Sequence, residues 1–334
     1  MKHIFYIIPN LLKVSGGPRS RINAFKKVFL KKDNLIIEKR KFSTSLSVEK
    51  NRSVYVESAT NRISIIDFFS LLILKLKSKE VIVFIRDVYI ECFPEEYQTF
   101  RKKITLILNK LSNFYLSWIA TKLAFPTKKM GFVFYKKNKF FIKKPFFDLP
   151  PGTSNLELDQ INPNFQKKIG ILYLGGISYK NSGFDSFVAF SKKHILEYDF
   201  YVLSNDEKIQ EYLDNNHIIF KTLLFNEIPG FIIKKNIAFA IHTRPRNTYD
   251  DITFPIKILD FVNFGLPFIS AKHIPLVDML GSEYNLFCDI TNFDSIINLI
   301  KKHSTKERYN KTINLLKKIH TNNTYDLRYE TLFK

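Results

Sequence analysis

The chain has 334 residues, 45% of them hydrophobic and 15% aromatic, which excludes a disordered chain and leaves room for two domains with a core each. Its two cysteines, Cys92 and Cys288, exclude a disulfide framework and a cysteine-rich metal site and fit a reducing cytoplasm. The formal charge is +21, of which residues 1–150 carry +19 and the remainder +2. Such asymmetry points to an anionic partner, nucleic acid or an acidic membrane surface; the plain alternative is a lysine-rich bias on a solvated face.

The apolar run Ile4 to Ile8 stops at Pro9-Asn10, so it reads as a buried strand and not as an export signal. A loop follows, Ser15-Gly16-Gly17-Pro18-Arg19-Ser20-Arg21, then a helix to about Leu30. Glycines before a basic helix start allow close backbone approach, so Gly16 and Gly17 are candidate ligand contacts, although such a turn is also plain punctuation. Strands are expected at Ile36 to Phe42, Ser53 to Glu57 and Glu80 to Ile85, with a helix over Ile63 to Lys77. Strands alternating with helices predict a parallel, doubly wound α/β sheet whose ligands sit at the carboxyl ends of the strands. Arg86 and Asp87 stand at such an end and are candidates for the first half, unless they are an ion pair closing a loop.

Glu95 to Ala124 reads as the longest helix, broken near Ser112-Asn113. Its wide apolar arc fits a core helix with its lysines in water, or a membrane-leaning surface helix. The core reading is the expectation, with Lys136 to Lys144 as the better surface contact. No run reaches the roughly 20 apolar residues needed to span a bilayer, Ile65 to Leu76 coming closest.

The second half opens with a strand at Ile169 to Leu174, then Gly175-Gly176-Ile177-Ser178-Tyr179-Lys180 and a helix begun by a Ser182 to Asp185 capping box. Glycines after a strand, with Lys180 before a helix start, fit a phosphate cradle or an ordinary strand-to-helix turn. Strands at Phe200 to Ser204 and Ile218 to Leu223, helices at Asp206 to Asn215 and Glu227 to Lys235, and a strand at Ile237 to His242 follow. That last strand ends in Thr243-Arg244-Pro245-Arg246, two cations at a strand end, or two solubilising arginines. His242 reads as a packed histidine. Beyond the next segment come a short helix at Pro275 to Leu280, a strand at Asn285 to Asp289, and helices at Ser295 to Thr305 and Glu307 to His320.

Residues 250 to 271 form a complete unit, with Asp250 and Asp251 at its head. Thr253 as a helix cap, Phe254, Pro255 in the first turn, Gly265 as the left-handed stop, and a strand at Leu266 to Ala271 follow in order. Lys257 and Asp260, three apart, share a face away from the apolar Ile256, Ile258, Leu259 and Val262. A lysine at a helix start suits a phosphate, and a carboxylate one turn on can accept from a ribose diol. The spacing therefore predicts a nucleotide diphosphate site.

The segment Phe254-Pro-Ile-Lys-Ile-Leu-Asp-Phe-Val-Asn-Phe-Gly-Leu-Pro-Phe-Ile-Ser270 resembles the donor-binding segment of GT-B glycosyltransferases, in particular the family-4-like enzymes of bacterial polysaccharide assembly. The turn at Gly175 and the run Leu149-Pro150-Pro151-Gly152 resemble that family's phosphate turn and domain exit. The resemblance implies two Rossmann-like domains facing a central cleft: an acceptor-side domain over 1–150, a linker over 151–167, a donor domain over 168–318 and a tail over 319–334 that packs back on the first domain. It implies Lys257 and Lys180 at the donor diphosphate, with Gly175 and Gly176, and Asp260 at the ribose. Leu224, Phe225 and Asn226 fall near the base, and Gly16, Gly17 and Asp87 face the cleft.

Two departures mark the chain. The family's first acid falls on Ile252, beside Asp251, and the arginine expected after the glycine is Ile177, so Arg244 and Arg246 are the candidate substitutes. The implied activity is transfer of a hexose from a UDP- or GDP-sugar co-substrate to a glycan or lipid-linked acceptor, retaining and metal-independent, in capsule or O-antigen assembly. Arg244 and Lys257 stabilise the leaving diphosphate, and Asp87 stands on the acceptor side. No Asp-x-Asp or histidine cluster with ligand spacing is present. The expected location is the cytoplasm, peripheral at the inner face of the plasma membrane against its anionic surface. The alternatives are a GT-B-fold nucleotide-sugar 2-epimerase and a basic nucleic-acid-binding protein; the aromatics lie in apolar periodic runs, which speaks against nucleic acid.

Overall fold

The computed structural model describes residues 2–14, 16–39, 41–58, 62–154, 161–178, 182–212 and 217–333. The chain forms two compact units, the first Met1–Gly152 with Ile252–Phe254 and Thr324–Lys334, the second Thr153–Asp251 with Pro255–Asn323.

The first unit runs β1 (Ile4–Ile7), α1 (Gly16–Lys31), β2 (Leu35–Glu38), α2 (Phe42–Leu46), β3 (Arg52–Glu57), α3 (Ile65–Lys77), β4 (Ser78–Phe84), α4 (Tyr89–Cys92), α5 (Phe100–Ile119), β5 (Lys122–Phe125), α6 (Lys128–Lys137) and β6 (Phe146–Asp148). Its six strands pair in the order β2-β1-β3-β4-β5-β6, every pair parallel. The strands are near-continuous apolar runs because helices cover both faces of a parallel sheet. The direction in which successive strands are added reverses between β1 and β3, the topological switch of this unit.

Arg21 of α1 is buried in this core. Its Nε donates to Glu57 at 3.0 Å, Nη2 to the Tyr55 hydroxyl at 3.2 Å and Nη1 to the Leu149 carbonyl at 3.2 Å, while its guanidinium lies 3.9 Å from the Phe84 ring centre. Tyr55 in turn donates to Glu57. One cation thus ties α1, β3 and the end of the sheet, and the expected ligand-loop arginine is a core residue.

The C-terminal helix α13 (Tyr325–Leu332) completes this unit. Tyr325 packs edge-on against Phe25, Tyr329 edge-on against Phe29, and Asn34 Nδ2 donates to the Tyr329 hydroxyl at 2.8 Å.

The second unit runs β7 (Gly170–Leu174), α7 (Phe184–His194), β8 (Asp199–Leu203), β9 (Ile218–Lys221), α8 (Ile228–Lys234), β10 (Ile237–His242), α9 (Lys257–Phe264), β11 (Phe268–Ser270), α10 (Ile274–Leu280), α11 (Phe293–His303) and α12 (Lys306–Asn322). Its parallel sheet has the order β11-β10-β7-β8-β9, so the switch lies between β7 and β10.

Several sequence expectations are corrected. The Gly16-Gly17 loop is the first turn of α1, with Gly16 at φ +63° and open space where a Cβ would stand. The helix expected over Glu95 to Ala124 is α5 without a break, capped by Thr99, and the run then turns into β5; Ser112 and Asn113 sit inside the helix on its buried side. α6 and β6 were hidden in a lysine-rich stretch without clean periodicity. The expected helix after Asp206 is a 3-10 turn over Glu207–Tyr212, its remainder at 213–215 lying outside the described residues. The strand expected at Asn285 to Asp289 is a single bridge, Phe287 to Ser270.

Candidate functional site

The sequence candidates of the second unit gather at its switch point. β7 ends at Leu174, and Gly175 turns with φ +114°, outside the range other residues adopt easily. A Cβ on Gly175 would stand 2.4 Å from Lys257 Cε and 2.6 Å from its Nζ. The glycine is therefore spent on Lys257, whose ammonium reaches over the turn, hydrogen-bonds the Gly176 carbonyl at 3.4 Å and lies 5.4 Å from the Tyr173 ring centre. Lys180 lies outside the described residues.

The turn is fixed from below by Asp206, just past the end of β8. One carboxylate oxygen accepts from the amides of Ile177 at 3.0 Å and Ser178 at 2.9 Å. Those bonds, the Ser178 hydroxyl first, hold the Asp206 carboxyl well below the usual range. Gly183, at φ +73°, lets the end of β10 come close: a Cβ there would meet the Thr243 carbonyl oxygen at 2.1 Å. Gly183, not Ser182, is the N-cap of α7, which replaces the expected capping box; Ser182 Oγ accepts from the Phe184 amide at 3.3 Å.

α9 begins at Lys257 behind the N-cap Ile256, and Thr253 does not cap it. The amides of Ile258 and Leu259 bond back three residues to Pro255 and Ile256, so a tight turn occupies the positions that a Thr253 cap would have needed. Gly265 ends α9 at φ +64°, as its position predicts. Burial and the neighbouring Arg244 push the Lys257 ammonium down to about 8. Burial pushes the Asp260 carboxyl up to about 7 against the pull of Lys257.

At the end of β10, Arg244 pairs with Asp250 at 2.7 Å, and Arg246 grips Asp251 through Nε, at 3.1 and 3.0 Å, and through Nη2 at 3.0 Å. Asp251 also accepts from the amide of Ile274, the first residue of α10, at 3.2 Å. Asp250 and Asp251 thus hold the two arginines on one loop. His242 Nδ1 lies 3.3 Å from Ser270 Oγ, and His273 lies edge-on to it at 5.7 Å while Nε2 faces the Arg244 carbonyl at 3.2 Å. Burial lowers both imidazoles, that of His242 far below its ordinary value with further help from His273, Lys257 and Arg244. His273 Nδ1 and Thr243 Oγ1 are buried and meet no hydrogen-bond partner among the described residues. Each such atom costs about 1–3 kcal/mol until something satisfies it.

The cluster therefore brings together Gly175, Gly176, Lys257, Asp260, Arg244, Arg246, Asp251 and Pro255. The structure assigns Asp87, Gly16, Gly17, Thr253 and Phe254 to the first unit. Arg86 and Asp87 are an ion pair at 3.9 Å, and Asp87 accepts from the Tyr89 amide at 3.3 Å. Phe225 begins a 3-10 turn and packs 4.9 Å from Phe264. Sequence reasoning missed Asp206 and His273. The signal for each was a polar residue just past the carboxyl end of a strand beside the switch point, at β8 and β11. No group of three His, Cys, Asp or Glu side chains able to hold a metal ion occurs among the described residues.

No protein-family model matches the chain. No curated protein matches it either. Solved structures do. An α-glucosyltransferase in complex with UDP and a 13-mer DNA containing an HMU base aligns over 99% of this chain and 98% of its own, with TM-score 0.69 and 10% identity. Anabaena HepE in complex with UDP-glucose aligns over 99% of both chains, with TM-score 0.65 and 10% identity. A structure described as trehalose-6-phosphate from E. coli bound with UDP-2-fluoro glucose aligns over 99% and 98%, with TM-score 0.59 and 9% identity. Two parallel-sheet α/β units and full-length alignment with these proteins establish that this chain has the GT-B fold.

Proposed function

We propose that the protein is a nucleotide-sugar-dependent glycosyltransferase that takes a UDP- or GDP-hexose at the β7/β10 switch point and passes the sugar to a glycan or lipid-linked acceptor. The observation that carries this reading is the packing of Lys257 into the Gly175-Gly176 turn with Asp260 one helical turn away. A cation is thereby held at the start of a helix, where backbone dipoles also favour anions, at the carboxyl end of the central strand. UDP and UDP-glucose in the structurally similar proteins support the same donor class.

Transfer breaks the bond between the anomeric carbon and the phosphate oxygen, so charge grows on the leaving diphosphate. Lys257 and Arg244 are the groups placed to hold that charge, and the orphaned Thr243 hydroxyl can donate to it. Asp260 accepts from the ribose diol. Lys180 joins the phosphates and Arg246 with Asp251 braces the loop. Asp87, on the first unit, serves the acceptor, and Gly16 and Gly17 shape its approach. Retention of configuration, metal independence and a place in cell-surface polysaccharide assembly complete the reading, on the strength of the sequence resemblance.

The test is a thermal-shift screen of nucleoside diphosphates and their sugars. A donor at a hundredfold excess over its Kd stabilises the fold by about 2.7 kcal/mol. Lys257→Ala is expected to abolish the shift while leaving the ligand-free melt within a few degrees. If no nucleoside diphosphate shifts the melt, the reading is wrong.

A further inference from the structure

Helix α5 carries its apolar stripe on the outside. Phe100, Ile104, Ile107, Leu111, Phe114 and Trp118, spaced alternately by four and three residues, fall on one face and are all exposed, Phe100 at 79% and Leu111 at 59%. The buried side of the helix is held separately, by Tyr115, Leu116 and Ile119 together with Ser112, Asn113 and Ser117. A surface helix ordinarily turns polar side chains outward opposite such a buried face, and here six large apolar ones stand there. α3 packs beside α5 and repeats the pattern with exposed Ile65, Phe69 and Leu76. Tyr115 stacks on Phe68 at 4.3 Å, and Lys75 caps the Trp118 ring at 3.7 Å and donates to the Trp118 carbonyl, so the two stripes form one continuous face. That apolar area is far beyond the scattered exposed residues normal for a soluble surface.

The charge along α5 and α6 has one sign. Residues 97–147 contain twelve Lys and Arg and no Asp or Glu. Phe114 leads from the stripe to Phe140 at 6.4 Å and Phe141 at 5.5 Å. Beside them Lys136, Lys139, Lys143 and Lys144 with Phe132 and Tyr135 line a cavity of about 640 Å³. Among the described residues no helix is long and apolar enough to cross a membrane.

We propose that the α3/α5 face of the first unit docks on an anionic lipid surface, its apolar stripes entering the acyl boundary and the lysine pocket of α6 taking lipid phosphates. The mixture decides the occupant. Nucleic acid matches the lysines but not a stripe of six exposed apolar side chains, and a second copy of this chain would set like charge against like charge. The inference goes beyond the transferase reading and does not depend on it.

The test uses the full chain and vesicles of phosphatidylcholine with or without phosphatidylglycerol. Trp118 is the chain's single tryptophan and lies on the stripe, so it reports insertion directly. Flotation with the anionic vesicles and a blue-shifted, quencher-protected emission are expected, both weakened by salt. Leu111→Glu should abolish the emission change. Lys139→Gln with Lys143→Gln should weaken binding by about thirtyfold, at about 1 kcal/mol for each lysine near the surface. Both sets change exposed side chains, and an unchanged ligand-free melt in the same samples shows that the fold is intact. Failure to float, equal binding to both vesicle types at low salt, a doubled mass in light scattering that is lost in Leu111→Glu, or binding to duplex DNA in preference to vesicles would each overturn the proposal.

Discussion

The space a side chain would need at Gly175 is filled by Lys257, whose Cε would be 2.4 Å from an added Cβ. The glycine and the lysine are 82 positions apart in sequence and form one device, a strand-end turn that admits a cation. Gly175→Ala therefore combines strain at a φ of +114°, about 1–3 kcal/mol, with expulsion of the ammonium. The variant is expected to melt lower and to lose the nucleoside-diphosphate shift. Adding Lys257→Ala removes the clash, so the double variant should be more stable than Gly175→Ala alone, a coupling read from a double-mutant cycle. A Gly175→Ala protein with an unaltered ligand shift contradicts the device.

The opposed shifts of Asp260 and Lys257 make the ligand-free stability depend on pH in a specific way. Asp260 is raised to about 7, so the folded chain binds the proton more tightly than the unfolded one, and stability falls as pH rises from the ordinary carboxyl range through about 7. Lys257 is lowered to about 8, so the unfolded chain binds its proton more tightly, and stability recovers as pH rises above about 8. The lowered His242 and His273 act in the opposite sense below about 6.5, so the dip near neutrality is read as the difference in urea midpoint between the parent and Asp260→Asn across this range. Asp260→Asn, which cannot ionise, should flatten the acidic limb and exceed the parent in stability near pH 8. A parent-to-variant difference that stays constant from pH 5 to 8 contradicts the assignment.

The reach of the sequence into this structure was uneven for physical reasons. Strands buried on both faces are read easily as apolar runs, and Gly265 announced the end of α9 through the one conformation that favours glycine. The Lys257 to Asp260 spacing was legible because both residues belong to one helix. The role of Gly175 was not, because it depends on a side chain from another strand-helix unit. Arg244 and Arg246 looked like open cations, and only the fold of the loop shows Asp250 and Asp251 gripping them. Helix α5 was half legible: the expected core side is there in Leu116 and Ile119, but periodicity does not say which part of a wide apolar arc stays outside.

The buried Arg21 to Glu57 pair gives a prediction for the first unit. Arg21→Met leaves the Glu57 carboxylate in the core with the Tyr55 hydroxyl as its remaining polar neighbour from the network described above, a loss of about 3–5 kcal/mol for breaking one partner of a buried pair. Arg21→Met combined with Glu57→Leu removes both charges and should recover most of that loss, since an apolar replacement of a buried pair is often neutral. Urea denaturation of the three proteins decides it. A single variant within 1 kcal/mol of the parent would mean that the cation contributes little to the core.

The two strand-end arginines, so similar in sequence, are expected to separate in a pH titration of donor binding. Arg244 is among the groups that lower the Lys257 ammonium, whereas Arg246 is not. A diphosphate prefers the protonated lysine, so its affinity should hold below about pH 8 and decline above, by up to tenfold per pH unit until the lysine of the complex itself titrates. Arg244→Ala removes a repelling charge, which raises the Lys257 midpoint and moves the decline to higher pH even as the loss of a cation weakens binding at neutral pH. Arg246→Ala should leave the midpoint where it is and act through the loop, because it strips the bidentate grip from Asp251, which still accepts from the Ile274 amide. Calorimetric Kd values for a nucleoside diphosphate at several pH values separate the two. If both variants shift the decline alike, Arg244 does not act on Lys257 through its charge.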